Sequence, residues 1–304
     1  MNRAVLLRGG RWLLAAVLAV LLALAAYALT TYAMAQQPGV DVAAYLQAGE
    51  RLRAGEPLYA VSAANASEQF RYAPWFAYAW VPLTFLDHDA VVAGWVGLML
   101  AAAAASVVPL LRHGWTGVAA FAILAPLQLQ GAVFGNVQPL LVLILMWGVE
   151  KRSGPWWVAL GASLKAVPLL LAVVYAGRGE WRRVAITLGF TALLAGPALL
   201  FDLSGYSTDP GPAQISLAGV WFPAYLLVAL AAIAACWFLA RTRYGWLAGA
   251  FAMIAGLPRL LTYELGFLLV GLQNAPPGRS RAGGGGGGVV SELTGRSSGA
   301  PTMR

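Results

Sequence analysis

The fold class this sequence predicts is an all-α, polytopic membrane protein, on three observations. Of its 304 residues 60% are hydrophobic and only 11% charged, a balance far from that of a soluble globular domain. Roughly seven or eight stretches approach the length of about 20 apolar residues that a helix needs to cross a bilayer. The arginines and lysines are scattered through the loops between those stretches, where they act as topology signals. Together these predict about 7–9 membrane helices, some of them broken or re-entrant, with a first external loop that carries an interfacial helix.

The same counts exclude several function classes. The net charge of +8 is spread over loops and forms no phosphate-binding face, so nucleic acid is not an expected partner. The single cysteine, Cys236, lies inside an apolar run and offers neither a disulfide framework nor a thiol metal site. His88 and His113 are isolated, and Asp87-His88-Asp89 are too close in sequence to converge on one ion. They read as a solvated turn, so no metal and no cofactor is expected. The chain has no P-loop, no dinucleotide-binding glycine pattern and no serine nucleophile elbow.

Taken in order, Arg3, Arg8 and Arg11 form a basic N-terminal region before an apolar stretch from Trp12 to about Tyr32. That stretch is longer than the apolar part of a cleaved signal, so it is expected to be an uncleaved first helix with a cytoplasmic N-terminus. Segment 36–72 then lies outside, as the first extracytoplasmic loop. Within it Tyr45, Ala48 and Leu52 share one helical face, with Gln47, Glu50 and Arg51 opposite, the pattern of an amphipathic interfacial helix. The aromatic stretch from Tyr72 to Leu86, interrupted by Pro74 and Pro82, is expected to be interfacial or re-entrant.

Spans follow at about 90–111 and 115–133, joined by Arg112 and His113, and a shorter one at about 137–149 leads into Glu150-Lys151-Arg152. Segment 155–176 has basic loops on both sides, so it cannot be one simple crossing. Two half-helices meeting near Lys165 and Pro168 resolve this, because broken helices are tolerated where they line a polar cavity. Further spans are expected at about 184–201 and 217–240, separated by a loop from Asp202 to about Gln214 that lacks Lys and Arg. The last apolar stretch, 245–272, carries Pro258, Arg259 and Glu264 in its second half. Residues 1–272 thus form one membrane-embedded domain, and 273–304 a disordered Gly/Ser/Arg-rich tail.

Five stretches, in this order, carry a family likeness. They are Asp41-x-x-x-Tyr45 followed by AGERLRAGEPLYA, FRYAPWFAYAWVPLTFL from Phe70, GNVQPLLVLIL at 135–145, LGASLKAVPLLL at 160–171, and LPRLLTYELGFLL at 257–269. In this arrangement the chain resembles the bacterial polyprenol-phosphate-mannose-dependent α-mannosyltransferases, glycosyltransferase family 87, of the GT-C membrane fold. It departs from them at Asn136, where Gly-Gln is usual and Gln138 supplies the nearest amide, and at Glu264, where an aspartate is expected. It also departs in having a Gly-rich tail where further helices are common.

The resemblance implies transfer of a hexose, expected to be mannose, from a polyprenyl-phosphate carrier to a lipid or glycan acceptor in the cell envelope. Such a reaction would run on the extracytoplasmic face with inversion, and the lipid-linked sugar would be a co-substrate. It needs one base within hydrogen-bond reach of the acceptor hydroxyl and positive groups or amide donors for the leaving phosphate. Asp41 is the candidate base, or alternatively the N-cap of a helix beginning at Val42. Lys165, charged within an apolar stretch, is assigned to the carrier phosphate, or else snorkels or pairs with an acid elsewhere.

Arg259 is read as a second phosphate ligand and Glu264 as a group that holds the sugar or orients Arg259. The alternative is structural pairing, although their five-residue spacing does not suit a helical ion pair. Asn136 and Gln138 either bond sugar hydroxyls or cap helix ends. Tyr45, Arg71 and Tyr72 complete the candidate substrate-binding set, with aromatic anchoring as the alternative for Arg71 and Tyr72. Two rival functions stay open at this point: a transporter or flippase-like carrier that uses Lys165, Arg259 and Glu264 along its path, and a short homologue without catalysis.

Overall fold

The computed structural model describes residues 38–60, 69–206 and 217–272, together with Ala28, Thr31 and Ala35. Most of the expected first span and all of the expected Gly-rich tail lie outside the described residues. The described residues form helices and no strand. In chain order the helices are α1 (Val40–Ala54), α2 (Pro74–Trp80), α3 (His88–Ala105), α4 (Trp115–Val133), α5 (Gln138–Gly148), α6 (Gly154–Leu164), α7 (Ala172–Gly177), α8 (Trp181–Ala195), α9 (Leu217–Val220), α10 (Phe222–Leu239) and α11 (Gly245–Ala255). Short 3₁₀ segments extend α2, α3 and α8, join α6 to α7, and form the last element, Thr262–Leu272.

Four of these are long and apolar enough to cross a bilayer: His88–His113, Trp115–Val133, Trp181–Leu200 and Phe222–Leu239. These four, among the described residues, do not by themselves give the expected seven to nine, of which some were expected to be broken or re-entrant and one lies mostly outside the described residues. The shortfall lies in four shorter apolar helices, Gln138–Gly148, Val167–Gly177, Gly245–Ala255 and Thr262–Leu272. Proline is one physical cause. Pro168 has no N–H to give and its ring would clash with the carbonyl of Leu164, so α6 stops there. Lys165 takes an extended conformation, and the chain resumes as a 3₁₀ turn at Val167. This is the break expected near Lys165 and Pro168. Pro258 stands in the same relation to α11, which ends at Ala255.

The core forms where these short helices meet. The final 3₁₀ helix packs against α4, α5 and α11, while the turn at Val167–Leu171 packs between α6 and α11. Leu141, Leu145, Leu171, Trp246 and Phe267 are fully buried there. By contrast α8 and α10 present their apolar side chains outward: Leu193, Leu200, Leu230 and Phe238 are all exposed. An outer surface of this composition is costly in water and favourable against lipid, which marks the chain as a membrane protein.

The expected amphipathic helix is corrected in one respect. It exists as α1, but burial wraps around it: Val42, Ala44, Tyr45, Leu46, Ala48, Gly49 and Arg51 are all buried. Arg51, assigned to the polar side, turns inward and donates to the Ala60 carbonyl at 2.9 Å. Thus α1 is packed into the protein against α2 and the 3₁₀ turn that follows it, and does not simply float in an interface.

Candidate functional site

The site is built around the N-terminus of α1. A helix leaves its first N–H groups without intrahelical partners. Here the N–H groups of Gly39 and Asp41 donate to the carbonyls of Val133 and Phe134, at 2.9 and 3.0 Å, where α4 ends. Two left-handed glycines make the junction, Gly39 at φ 75° and Gly135 at φ 72°. A Cβ on Gly135 would lie 2.5 Å from Val42 Cγ2, so no larger residue fits the crossing. Asp41 is thereby set in the first turn of α1 facing the α4–α5 corner. Gly39 is the N-cap and no side chain caps the helix. The capping alternative for Asp41 is ruled out.

What the Asp41 carboxylate does is accept a hydrogen bond from Asn136 Nδ2 at 2.7 Å. Asn136 is almost fully buried and its amide is shared. Nδ2 also donates to Tyr263 Oη at 3.2 Å, and Oδ1 accepts from the Gln138 backbone N–H at 3.0 Å. The orientation of the amide is therefore fixed from both ends. Tyr72 Oη lies 3.5 Å from the same Nδ2 and accepts from Tyr45 Oη at 3.0 Å.

The opposite wall carries the charges. Lys165, at the break after α6, forms an ion pair with Glu264 at 3.2 Å, and its ammonium stands 5.0 Å above the Tyr263 ring. The second carboxylate oxygen of Glu264 accepts from the Leu261 N–H at 2.9 Å, closing the turn that carries Arg259. Arg259 keeps its Nε buried with no hydrogen-bond partner. Arg71 reaches Gln69 Oε1 at 3.3 Å, and Arg259 acts on it across the recess.

Burial raises the Asp41 carboxyl above its ordinary value of 3.8. The Asn136 hydrogen bond opposes that rise, as do the positive charges of Lys165, Arg259 and Arg71. The three cations thus share one electrostatic environment with the carboxylate.

The structure brings Asp41, Asn136, Tyr72, Lys165, Glu264, Arg259 and Arg71 into one polar cluster, and Tyr45 and Gln138 stand differently from expectation. Tyr45 is 1% exposed, packed edge-on against Tyr72 and Phe76. It meets the recess only through the hydroxyl of Tyr72, so direct substrate contact by Tyr45 is corrected. The Gln138 side chain is fully buried, with both amide atoms unpartnered. It is the backbone N–H of Gln138 that serves the site. Glu264 pairs with Lys165 and not with Arg259, which corrects the idea that it orients Arg259.

Tyr263 was missed. Its one sequence signal was its place between Arg259 and Glu264 in LPRLLTYELGFLL. Asp87 caps α3 by accepting from the Ala90 N–H at 2.9 Å. No cluster of His, Cys, Asp or Glu suited to a metal occurs among the described residues.

The chain's middle portion has a recognisable relative at the level of families. Residues 70–209 match glycosyltransferase family 87. The family-87 match takes in Arg71, Tyr72, Asn136, Gln138 and Lys165, while Asp41 lies before it and Arg259, Tyr263 and Glu264 after it. The comparisons found no matching curated protein and no matching solved structure. The family-87 match supports a glycosyltransferase, and the lipid-facing helices make it a membrane one.

Proposed function

We propose that this chain is a GT-C-type hexosyltransferase that moves a sugar, mannose by the resemblance, from a polyprenyl-phosphate carrier to a lipid or glycan acceptor. In this reading the reaction takes place on the extracytoplasmic face. The observation that carries it is the juxtaposition of one amide-held carboxylate, Asp41, with Lys165, Arg259 and Arg71. A carrier-linked sugar phosphodiester brings one negative charge, which Lys165 and Arg259 beside Asp41 would meet.

Asp41 takes the acceptor proton as the hydroxyl attacks the anomeric carbon. A carboxyl held above the ordinary aspartate range is the better matched to that task. Asn136 keeps the carboxylate oriented while the proton moves. Arg259, with a buried unpartnered Nε, and Lys165 stabilise the phosphate as the glycosidic bond breaks. Lys165 begins on Glu264 and exchanges part of that pairing for the phosphate. A single base on the face away from the leaving group inverts the anomeric centre, so a β-linked donor gives an α-linked product. Asn136 and Tyr72, at the polar edge of the recess, are placed to bond sugar hydroxyls.

The test is transfer from radiolabelled polyprenyl-phosphate-mannose in membranes that express the chain, beside Asp41→Asn at matched expression. Product from the parent with a loss of roughly 10²–10⁴-fold in the variant is expected for a general base. Equal product from both proteins would remove Asp41 from the chemistry, and no product from the parent with any carrier-linked hexose would remove the transferase reading.

A further inference from the structure

At the far end of α6 from Lys165, one helix length or about 16 Å away, the molecule has a cleft of ≈ 780 Å³ with charged residues along its walls. It opens between the loop Glu150–Ser153 and the start of α8. Lys151, Arg152, Arg182 and Arg183 line it, together with Glu150 and Glu180. Both acids are already neutralised, Glu150 by Arg178 at 3.1 Å and Glu180 by Arg183 at 2.8 Å. Arg152 and Arg182 are exposed, and neither enters an ion pair among the described residues. The cleft therefore keeps a surplus of positive charge.

Two helices aim their positive ends at the same place. Helices α6 and α8 both begin here without a side-chain cap, and the acidic N-cap residue of α8, Glu180, is already taken by Arg183. Arg182 and Arg183 even sit in the first turn of α8, where the helix dipole disfavours cations. Arg183 is held there by the carbonyls of Val149 and Lys151, at 2.8 and 2.6 Å, and its Nε is buried without a partner. Such an arrangement is compensated when an anion occupies the cleft.

The surroundings define what kind of anion. Trp156, half exposed, lines the cleft and packs on Phe190 of α8. Ile186 lines it one turn further along. From there the same face of α8 continues to the exposed Leu193. Trp147 and Trp181 stand exposed at the same level, the position that amphipathic rings take at a membrane surface. A cleft walled by cations and apolar side chains thus adjoins the lipid-facing surface of α8.

We propose that this cleft binds the phosphodiester headgroup of an anionic phospholipid, with Arg152, Arg182 and Lys151 on the phosphate and one acyl chain along α8. The proposal rests on the membrane reading of α8 and is independent of the transfer reaction.

Native mass spectrometry of the full chain released from detergent tests it, with phosphatidylglycerol and phosphatidylcholine offered at equal concentration. Preferential retention of phosphatidylglycerol is expected. Arg152→Gln and Arg182→Gln should each lower that preference about fivefold, the equivalent of about 1 kcal/mol per surface cation. Because both side chains are exposed, the fold should be unaltered, and retention of phosphatidylcholine should be the same in parent and variants. Equal retention of the two lipids by the parent, or a preference that survives both substitutions, would overturn the proposal. Displacement of phosphatidylglycerol by millimolar inorganic phosphate would also overturn it, since that would mean an anion pocket indifferent to the acyl chain.

Discussion

At Asp41 burial and chemistry pull in opposite directions. Desolvation raises its carboxyl, so the ionised form is less favourable in the folded protein than in the unfolded chain. As pH rises through the window between the unfolded value and the higher folded one, the residue costs stability. Asp41→Asn should therefore leave the thermal midpoint at neutral pH equal to or above that of the parent. The difference should shrink as the pH falls and the parent protonates. Thermal unfolding in detergent over a pH series checks this, and a midpoint well below the parent's at neutral pH would contradict it.

The same shift fixes the acid limb of the pH–rate profile. Transfer should fall as pH drops through the Asp41 value, at a pH above the ordinary 3.8; a limb at or below that value would mean another base. Much of this was legible in the sequence, because a lone carboxylate or ammonium among apolar residues must find a compensating partner. The identity of the partners was not. Asn136 lies 95 residues from Asp41, and Glu264 lies 99 from Lys165. Periodicity within a segment carries no information about such pairings, nor about the bond that Tyr263 makes with Asn136.

Between elements, the site depends on two joints. One is the corner where α1 abuts the end of α4. Gly135→Ala places a methyl group against Val42 at a residue with positive φ, and both effects oppose the native geometry. A loss of stability above about 1 kcal/mol is expected, with transfer reduced because Asp41 and Asn136 separate. Thermal unfolding and transfer measured on the same preparation check the pair of effects.

The other joint is the ion pair that ties the break between α6 and α7 to the final 3₁₀ helix. Lys165→Met leaves the Glu264 charge, 7% exposed at its side chain, without its partner. A loss of about 3–5 kcal/mol is expected. The double change Lys165→Met with Glu264→Gln should recover a substantial part of that stability while transfer stays lost. Equal instability of the single and double variants would show that the charge is not the cause. Helix existence was readable at this scale, and so was the break before Pro168. The depth of packing around α1 was not, because Arg51 finds its acceptor, Ala60, beyond the end of its own helix.

For the molecule as a whole, the recess lies at the Asp41 end and the cationic cleft at the Lys151 end of the short helices. If the first loop is external, the two should face opposite compartments. Cys236 is buried, so a membrane-impermeant maleimide should ignore the parent. Glu56→Cys, in the exposed turn after α1, should be labelled in intact cells. Arg243→Cys, between α10 and α11, should react only after the membrane is opened. The reverse pattern would invert the orientation, and labelling of both in intact cells would place them on one side. How the apolar run of 28 residues at 245–272 divides was not readable from composition, since it looks like one long span until Pro258 and the turn held by Glu264 break it.

The contacts that assemble the recess span 95, 99 and 127 residues, and the latest of them require Tyr263 and Glu264. During synthesis Asp41 and Lys165 enter the membrane environment long before those partners leave the ribosome. The nascent chain must therefore hold the Lys165 ammonium without its carboxylate partner until the segment that carries Glu264 arrives. Ribosome-bound fragments ending before Leu261 will be the species most dependent on insertion chaperones and most open to quality-control proteolysis.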